Sequence, residues 1–270
     1  MKIRRYGIIR IMTFFFCVIH DIIARMENER FERSRSLLGE CAFESFSSMR
    51  VTIFGVGGVG GWCAEALLRT GIRCLTLVDD DVVAESNINR QRQALPSTVG
   101  QSKVEILRNT LLQISPVADI VAVSRRYTPE TSDFFDPVLS NSDFVIDAID
   151  SVDCKAHLID RCLVGIGGRP IPVFSSMGAA LRLDPTKIRH APFHKIAGDG
   201  LAKALRNRFR KYGVALPRHL CVYSEEPPNA MNRGIKGSVM PVTCAFGMAL
   251  ASLVIQAVQN AVLKTDSDPL

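Results

Sequence analysis

Apolar residues along this chain alternate between short runs and helical stripes. Val51, Ile53 and Phe54 form a run that ends at Gly55, the pattern of a strand buried on both faces. A helical stretch follows, carries Leu67 and Leu68, and stops at Gly71, a residue suited to the position just past a helix. Leu75, Leu77 and Val78 give the next strand. A second helix starts at Lys103, carries Val104, Leu107, Leu111 and Leu112, and ends before Pro116. Three further strands are predicted over 120–123, 142–149 and 172–175, the last two separated by a helix over 156–166. This strand–helix repetition predicts an α/β fold: a Rossmann-like, doubly wound, mainly parallel sheet with helices on both faces. Ligands are then expected beyond the carboxyl ends of the strands.

The flanks read differently. Residues 26–50 are a charged, helix-like lead-in in which Leu37, Leu38, Cys41 and Phe46 can pack while Arg30, Arg33 and Arg35 reach outward. Residues 200–212 predict an amphipathic helix with Leu201, Leu205, Phe209 and Tyr212 on one side and Lys203, Arg206, Arg210 and Lys211 over much of the rest. The stretch 242–262 is a nearly uncharged helix, about long enough to span a bilayer. Its scattered Gly and Ala favour a core or dimer helix, with peripheral membrane association left open. Residues 1–25 form an N-terminal extension: a basic start, then an uncharged run too short to span a membrane. It reads as sequence upstream of a true start at Met26, as a signal-like segment without a small-residue cleavage site, or as an interfacial helix. Residues 26–270 are expected to make one domain.

Charge changes the picture more than composition does. Hydrophobic content of 47% and charged content of 22% are ordinary for a globular protein. The net charge of +6 is unevenly spread: residues 185–236 hold eleven Lys/Arg against Asp199, Glu225 and Glu226, so what remains after Met26 is net acidic. A basic C-terminal extension on an acidic domain predicts a large anionic partner. The eight cysteines contain no C-x-x-C pair, which argues against a structural zinc site, and no disulfide framework is evident. A cytoplasmic location is expected.

Between the first strand and its helix, Gly55, Gly57 and Gly60 fit G-x-G-x-x-G, with Gly58 beside them. The first glycine serves the tight turn, the second lets backbone approach a phosphate, and the third lets the helix sit close to the strand. Asp79 stands at the tip of the second strand, where a ribose hydroxyl is expected. Strand, turn, helix, second strand and acid together predict nucleotide binding.

The order GVGGVG, LVDDD, SNINRQ, VGQSKVE and DAID resembles the ubiquitin-activating-like adenylyltransferases, whose bacterial members activate sulfur-carrier proteins of molybdopterin and thiamine synthesis. The resemblance covers residues 30 to about 180 and continues loosely to 262. Within that superfamily the chain is most similar to the tRNA threonylcarbamoyladenosine dehydratases. DAIDSV in place of DCTDN, the missing zinc cysteines, and the basic LAKALRNRFRKYGV followed by CVYSEE carry that placement.

The resemblance implies ATP-dependent dehydration of threonylcarbamoyladenosine in the tRNA anticodon loop. The modified base's carboxylate attacks the α-phosphate of ATP, and an internal amide nitrogen closes a ring as AMP leaves. It implies that Arg90 and Lys103 meet the phosphates, that Asn87 and Gln91 are neutral partners, and that Asp79 holds the ribose and Asp150 a Mg²⁺ ion. Arg33, matching the last arginine of an R-[FY]-x-R lead-in, is implied to reach the neighbouring subunit's phosphates as an arginine finger, which requires a homodimer. Arg30 and Arg35 are alternatives to it. Relatives also suggest a sulfur-relay partner protein. The alternative function is activation of the C-terminal Gly-Gly of a sulfur carrier, which uses the same ATP site. A nicotinamide-dependent oxidoreductase would explain the glycines and Asp79 but leave Arg90, Lys103 and Asp150 without a task.

Overall fold

The computed structural model describes residues 29–229 and 236–267. The extension 1–25 lies outside the described residues, as do positions 230–235 of the basic segment. Helix α1 (29–38) breaks at Gly39, which adopts φ +81°, and α2 (Glu40–Ser48) leads into the sheet. The strands are β1 (Arg50–Phe54), β2 (Cys74–Val78), β3 (Asp119–Val123), β4 (Phe144–Asp147), β5 (Val173–Ser176), β6 (Ile188–Pro192) and β7 (Leu220–Ser224). The remaining helices are α3 (Gly60–Thr70), α4 (Lys103–Ile114), α5 (Asp136–Ser140), α6 (Val152–Val164), α7 (Gly200–Lys211) and α8 (Met240–Ser267).

The seven strands are ordered β3-β2-β1-β4-β5-β7-β6. All neighbours are parallel except β6, which runs antiparallel to β7. β1 pairs on one side with β2, Thr52 opposite Thr76, and on the other with β4, Thr52 opposite Val145. The connections lead outward from β1 in one direction and then return to its other side, so a crevice opens between β1 and β4, the switch point where doubly wound sheets bind ligands.

Side-chain alternation divides the sheet between two cores. Val51, Ile53, Leu75, Leu77, Ile120 and Ile146 point to the face covered by α3, α4 and α8. Phe54, Val78, Val145 and Val173 point to the other, against Phe135, Leu139 and the Cys154–Leu158–Cys162 stripe of α6. A third cluster joins Ala156 and Ile159 of α6 to Ala202, Leu205 and Phe209 of α7 and to Cys221 of β7.

Helix α8 has the length and apolarity of a membrane span. Its stripe of Val242, Phe246, Leu250, Val254 and Val258 is buried in the same core as α3. Gly247 lets α3 come close, since a Cβ there would stand 2.6 Å from the Val59 carbonyl oxygen. Each such side chain contributes about 1.5–3 kcal/mol when fully buried, so packing accounts for this face of the helix. Met240, Met248 and Leu263 remain exposed on its outer flank.

The basic segment enters the sheet, a finding the hydrophobic pattern did not anticipate. β6 reads IRHAP, with Arg189 and His190 exposed, as an edge strand tolerates; β7 buries Cys221 and Val222 beside β5. Tyr212 departs from the packed side expected for it: it follows the last residue of α7 and is exposed, because the helix ends there and the chain turns at Gly213, φ +66°.

Candidate active site at the switch point of the sheet

The glycine loop closes over the crevice between β1 and β4. Gly55 takes φ +85°, and a Cβ on it would stand 2.7 Å from the Ala148 carbonyl oxygen, so only glycine lets β1 turn this close to the end of β4. Gly60, the first residue of α3, packs so closely on the Gly55 carbonyl that any side chain would overlap it. Helix α3 begins with no side-chain cap and no acid in its first turn. The Gly61 and Cys63 amides donate to the Gly57 and Val59 carbonyls at 3.2 and 3.0 Å, which among the described residues leaves the Gly60 and Trp62 amides to meet an anion at the positive end of the helix dipole.

Asp79 follows β2 and faces this loop. One carboxylate oxygen accepts from the Val56 amide at 2.8 Å and the other from the Asp81 amide at 2.9 Å, so Asp79, expected at a ribose hydroxyl, braces the glycine turn. Burial raises its carboxyl above the ordinary range; the Asp81 amide, the Lys103 charge and the Val56 amide pull the other way. Lys103 opens α4, is buried, and places Nζ 2.7 Å from Asp81 Oδ2, while its amide donates to the Asp81 carbonyl at 3.1 Å. The ammonium is thus held by a carboxylate that is itself largely exposed.

The irregular 84–93 stretch supplies the polar wall. Asn87 is buried and its Oδ1 accepts from the Ala84 amide at 3.1 Å, closing the single-turn helix Glu85–Asn87. The Arg90 stem passes Gly58, its Cγ 3.3 Å from where a Cβ would stand, and Nη1 donates to the Ser86 carbonyl and to Asn89 Oδ1. Trp62 of α3 donates to the Arg90 carbonyl at 3.0 Å and so fastens this stretch to the helix behind the glycine loop. Gln91 lies beside Gly57, and its buried Oε1 has no partner among the described residues. Gln93 was not singled out from the sequence. It is 1% exposed and donates to the Val56 carbonyl at 2.6 Å, while its Oε1 also lacks a partner among the described residues. Its spacing of two from Gln91 was the available signal. Unpartnered buried acceptors beside an uncapped helix start suit a polar ligand.

At the end of β4 the two acids of DAID separate. Asp147 is wholly buried and pairs with the equally buried Lys155 at 2.8 Å; burial raises its carboxyl, with Lys155 opposing. Lys155 also donates to the Ile149 carbonyl at 2.9 Å, which fixes the chain leaving β4. Asp150, next in that chain, is exposed and makes no hydrogen bond or ion pair among the described residues. The structure thus brings together the glycine loop, Asp79, Asn87, Arg90, Gln91, Lys103 and Asp150 at the C-terminal edge of β1, β2 and β4.

Arg33 stands apart. It is exposed on α1 and makes no hydrogen bond or ion pair among the described residues. Arg35 is engaged elsewhere, pairing with Glu40 and Glu44 with its guanidinium carbon 4.3 Å above the Phe43 ring. Among the described residues no cysteine joins the site: Cys221 is buried next to His219 and its thiol is pushed upward by burial.

Helix α7 lies against the far side of the same edge. Asp199 caps it, accepting from the Ala202 amide at 2.8 Å and from the Gly178 amide, just past β5, at 3.1 Å. Farther along, Arg208 Nε sits 2.7 Å from Asp153 in the first turn of α6, just past β4. These ties hold α7 across the ends of β5 and β4 with Lys203, Arg210 and Lys211 exposed.

Residues 31–268 match the ThiF family. The tRNA threonylcarbamoyladenosine dehydratase of Bacillus subtilis (strain 168) is 39% identical over 211 residues, 78% of this chain and 80% of its own length. That of Escherichia coli (strain K12) is 38% identical over 194 residues, 72% and 70% of the two chains. Structures of the E. coli enzyme with AMP and with ATP superpose with TM-scores of 0.82 and 0.81 at 34% identity, covering 88% of this chain and 96% of theirs. The matched span takes in the glycine loop, the polar wall, Lys103, Asp150 and the whole sheet, and the chain belongs to the ThiF family.

Proposed function

We propose that this protein is an ATP-dependent tRNA threonylcarbamoyladenosine dehydratase that adenylates the carboxylate of its substrate. The observation that carries the reading is the uncapped α3 start at the β1–β4 crevice, walled by Lys103, Arg90 and the two open glutamine oxygens, in a chain that resembles dehydratases over most of its length.

The substrate carboxylate attacks the α-phosphorus, the bond to the bridging oxygen breaks, and pyrophosphate leaves. Ring closure by the substrate's own nitrogen then breaks the acyl–phosphate bond and expels AMP, so the oxygen removed from the substrate departs on AMP. No protein nucleophile is required. The chain positions the reactants and stabilises charge. The amides of the α3 start receive the phosphates, Lys103 and Arg90 neutralise them, and Asp79 holds the ribose while bracing the loop. Asp150 suits Mg²⁺, which is commonly held by one or two carboxylates together with substrate phosphates. It is exposed and uncommitted, whereas Asp147 is taken by Lys155. When bound, the ion would neutralise phosphate charge.

Arg33, on the outer surface of α1, completes the site of a second copy, and the exposed apolar flank of α8 suits the homodimer this needs. The basic face of α7 is the tRNA surface, and the reaction takes place in the cytoplasm. The test is release of AMP and pyrophosphate with tRNA carrying threonylcarbamoyladenosine, with a Gly-Gly carrier protein, or with neither. Turnover with the modified tRNA alone is expected; turnover with the carrier alone overturns the reading.

A further inference from the structure

We infer that Tyr212, Arg208 and Asp153 form a stacking platform that holds one unpaired base of the RNA beside the adenylation site; this rests on the tRNA reading above. Tyr212 follows the last turn of α7 and is 56% exposed. Its place is set by the bonds that end the helix, Gly213 amide to Arg210 carbonyl at 3.1 Å and Val214 amide to Phe209 carbonyl at 3.0 Å. The guanidinium carbon of Arg208 lies 4.0 Å from the ring centroid. Arg208 is in turn held by Asp153 at 2.7 Å. One face of the ring is thus backed by a cation tethered to Asp153, and the ring remains substantially open to solvent.

This arrangement matches what single-stranded RNA requires. Unpaired bases stack on tyrosine rings and arginine planes, with sequence tolerance because every base has a π-face. A tyrosine already ordered by an arginine loses little side-chain freedom when a base arrives. Exposed Arg210 and Lys211 immediately precede it and supply phosphate contacts. Among the described residues the other exposed ring with an arginine over it is Phe134 under Arg125 at 4.1 Å; its own turn carries Glu130, Asp133 and Asp136, the two aspartates paired with Arg161, whereas the turn before Tyr212 carries Arg208, Arg210 and Lys211. Location singles out Tyr212 as well. Asp153 is three residues past Asp150, in the first turn of the helix that leaves the β1–β4 crevice. A base stacked there leaves a neighbouring nucleotide to enter the site.

The experiment uses anticodon stem-loop RNA with 2-aminopurine placed singly at each unpaired loop position, titrated into the full-length protein at several salt concentrations. Wild type should quench one position by stacking. Tyr212→Ala should abolish that quench and bind about tenfold or more weakly, the loss of one stacked base, with an unchanged salt slope. Tyr212→Phe should keep both, and ATP binding by equilibrium dialysis should be the same in all three. If wild type binds the RNA while Tyr212→Ala binds equally well, or no position is quenched, the platform falls and the tRNA reading stands. If wild type binds no RNA, the tRNA reading falls and takes the platform with it.

Discussion

Helices α3 and α7 both start at the C-terminal edge of the sheet, and their N-termini are opposites. The start of α3 has no cap and no acid in its first turn, and the nearby carboxylate of Asp79 is turned to the Val56 amide instead. The start of α7 is closed by Asp199, which takes the Ala202 amide and also lies 4.0 Å from the buried guanidinium of Arg182. One helix offers its backbone to an anion. The other withholds its backbone and carries its charge on exposed Lys203, Arg210 and Lys211. Amides enclosed at a crevice bind one phosphate group with defined geometry and are weakly screened; surface cations bind a polyanion loosely and are screened within about 8–10 Å at ordinary salt. The two halves should therefore respond independently to mutation and to salt.

The largest test of that independence lies in the nucleotide half. Lys103→Ala or Asp150→Ala should cut AMP formation by about 10²–10³-fold or more, since each removes charge stabilisation from the transition state. RNA affinity should be untouched, because neither residue lies on α7. Near-normal turnover by Asp150→Ala would remove it from the metal role. Next comes the converse: neutralising Lys203, Arg206, Arg210 and Lys211 together to Gln should weaken tRNA binding by orders of magnitude. The log–log salt dependence should flatten by about 0.7–0.9 for each phosphate that no longer meets a cation. ATP binding should hold. A quadruple variant that binds and modifies tRNA normally would reduce the basic face to ordinary solvated surface.

The two halves are also unequally legible. The nucleotide half can be read because its strands are near-continuous apolar runs and its turn is written in glycines that no other residue can replace at Gly55 and Gly60. Lys103 and Asp150 emerge from motif order, whereas Gln93 does not, since its task is to fasten the Val56 carbonyl from a distant loop. The second half hides its strands. β6 is an edge with exposed Arg189 and His190, and β7 is a five-residue run, so the segment reads as a charged extension, although its strands extend the sheet. Helical period assigns Tyr212 to the packed side. A period cannot see that the helix stops at Lys211.

A smaller effect tests whether the nucleotide half is complete within one chain. Arg33→Ala and Lys103→Ala should each be inactive alone. After subunit exchange in equal amounts, about a quarter of the sites should be intact, because half the two-fold dimers are mixed and each has one good site. Recovery to that level, measured as AMP release, supports the finger in trans. No recovery, with exchange shown by mass spectrometry of labelled subunits, would move the task to Arg30 or Arg35, or put it within one chain.

The smallest effect separates the halves by pH. The α7 half rests on a neutral histidine: His219 Nε2 lies 3.0 Å from Ser175 Oγ and 3.2 Å from Cys221 Sγ, under a stacked Phe193 ring. Burial, helped by Lys155, pushes its pKa down to about 3. A base whose folded-state pKa lies below its unfolded value of about 6.5 takes up a proton more readily when unfolded. Its contribution is therefore complete above pH 6.5 and is lost as pH falls from there towards 3. Full burial would cost about 2 kcal/mol by pH 5; the ring is partly exposed, so about 1–2 kcal/mol is expected. Asp79 and Asp147, whose carboxyls burial raises, act in the opposite direction, but they are unchanged in a His219→Gln variant and cancel in the comparison. Urea unfolding at pH 7 and pH 5 should show wild type losing more stability than His219→Gln by that amount, whatever their absolute stabilities. Equal losses would mean that His219 is protonated in the folded protein, and that the polar cluster under α7 tolerates a charge its surroundings should exclude.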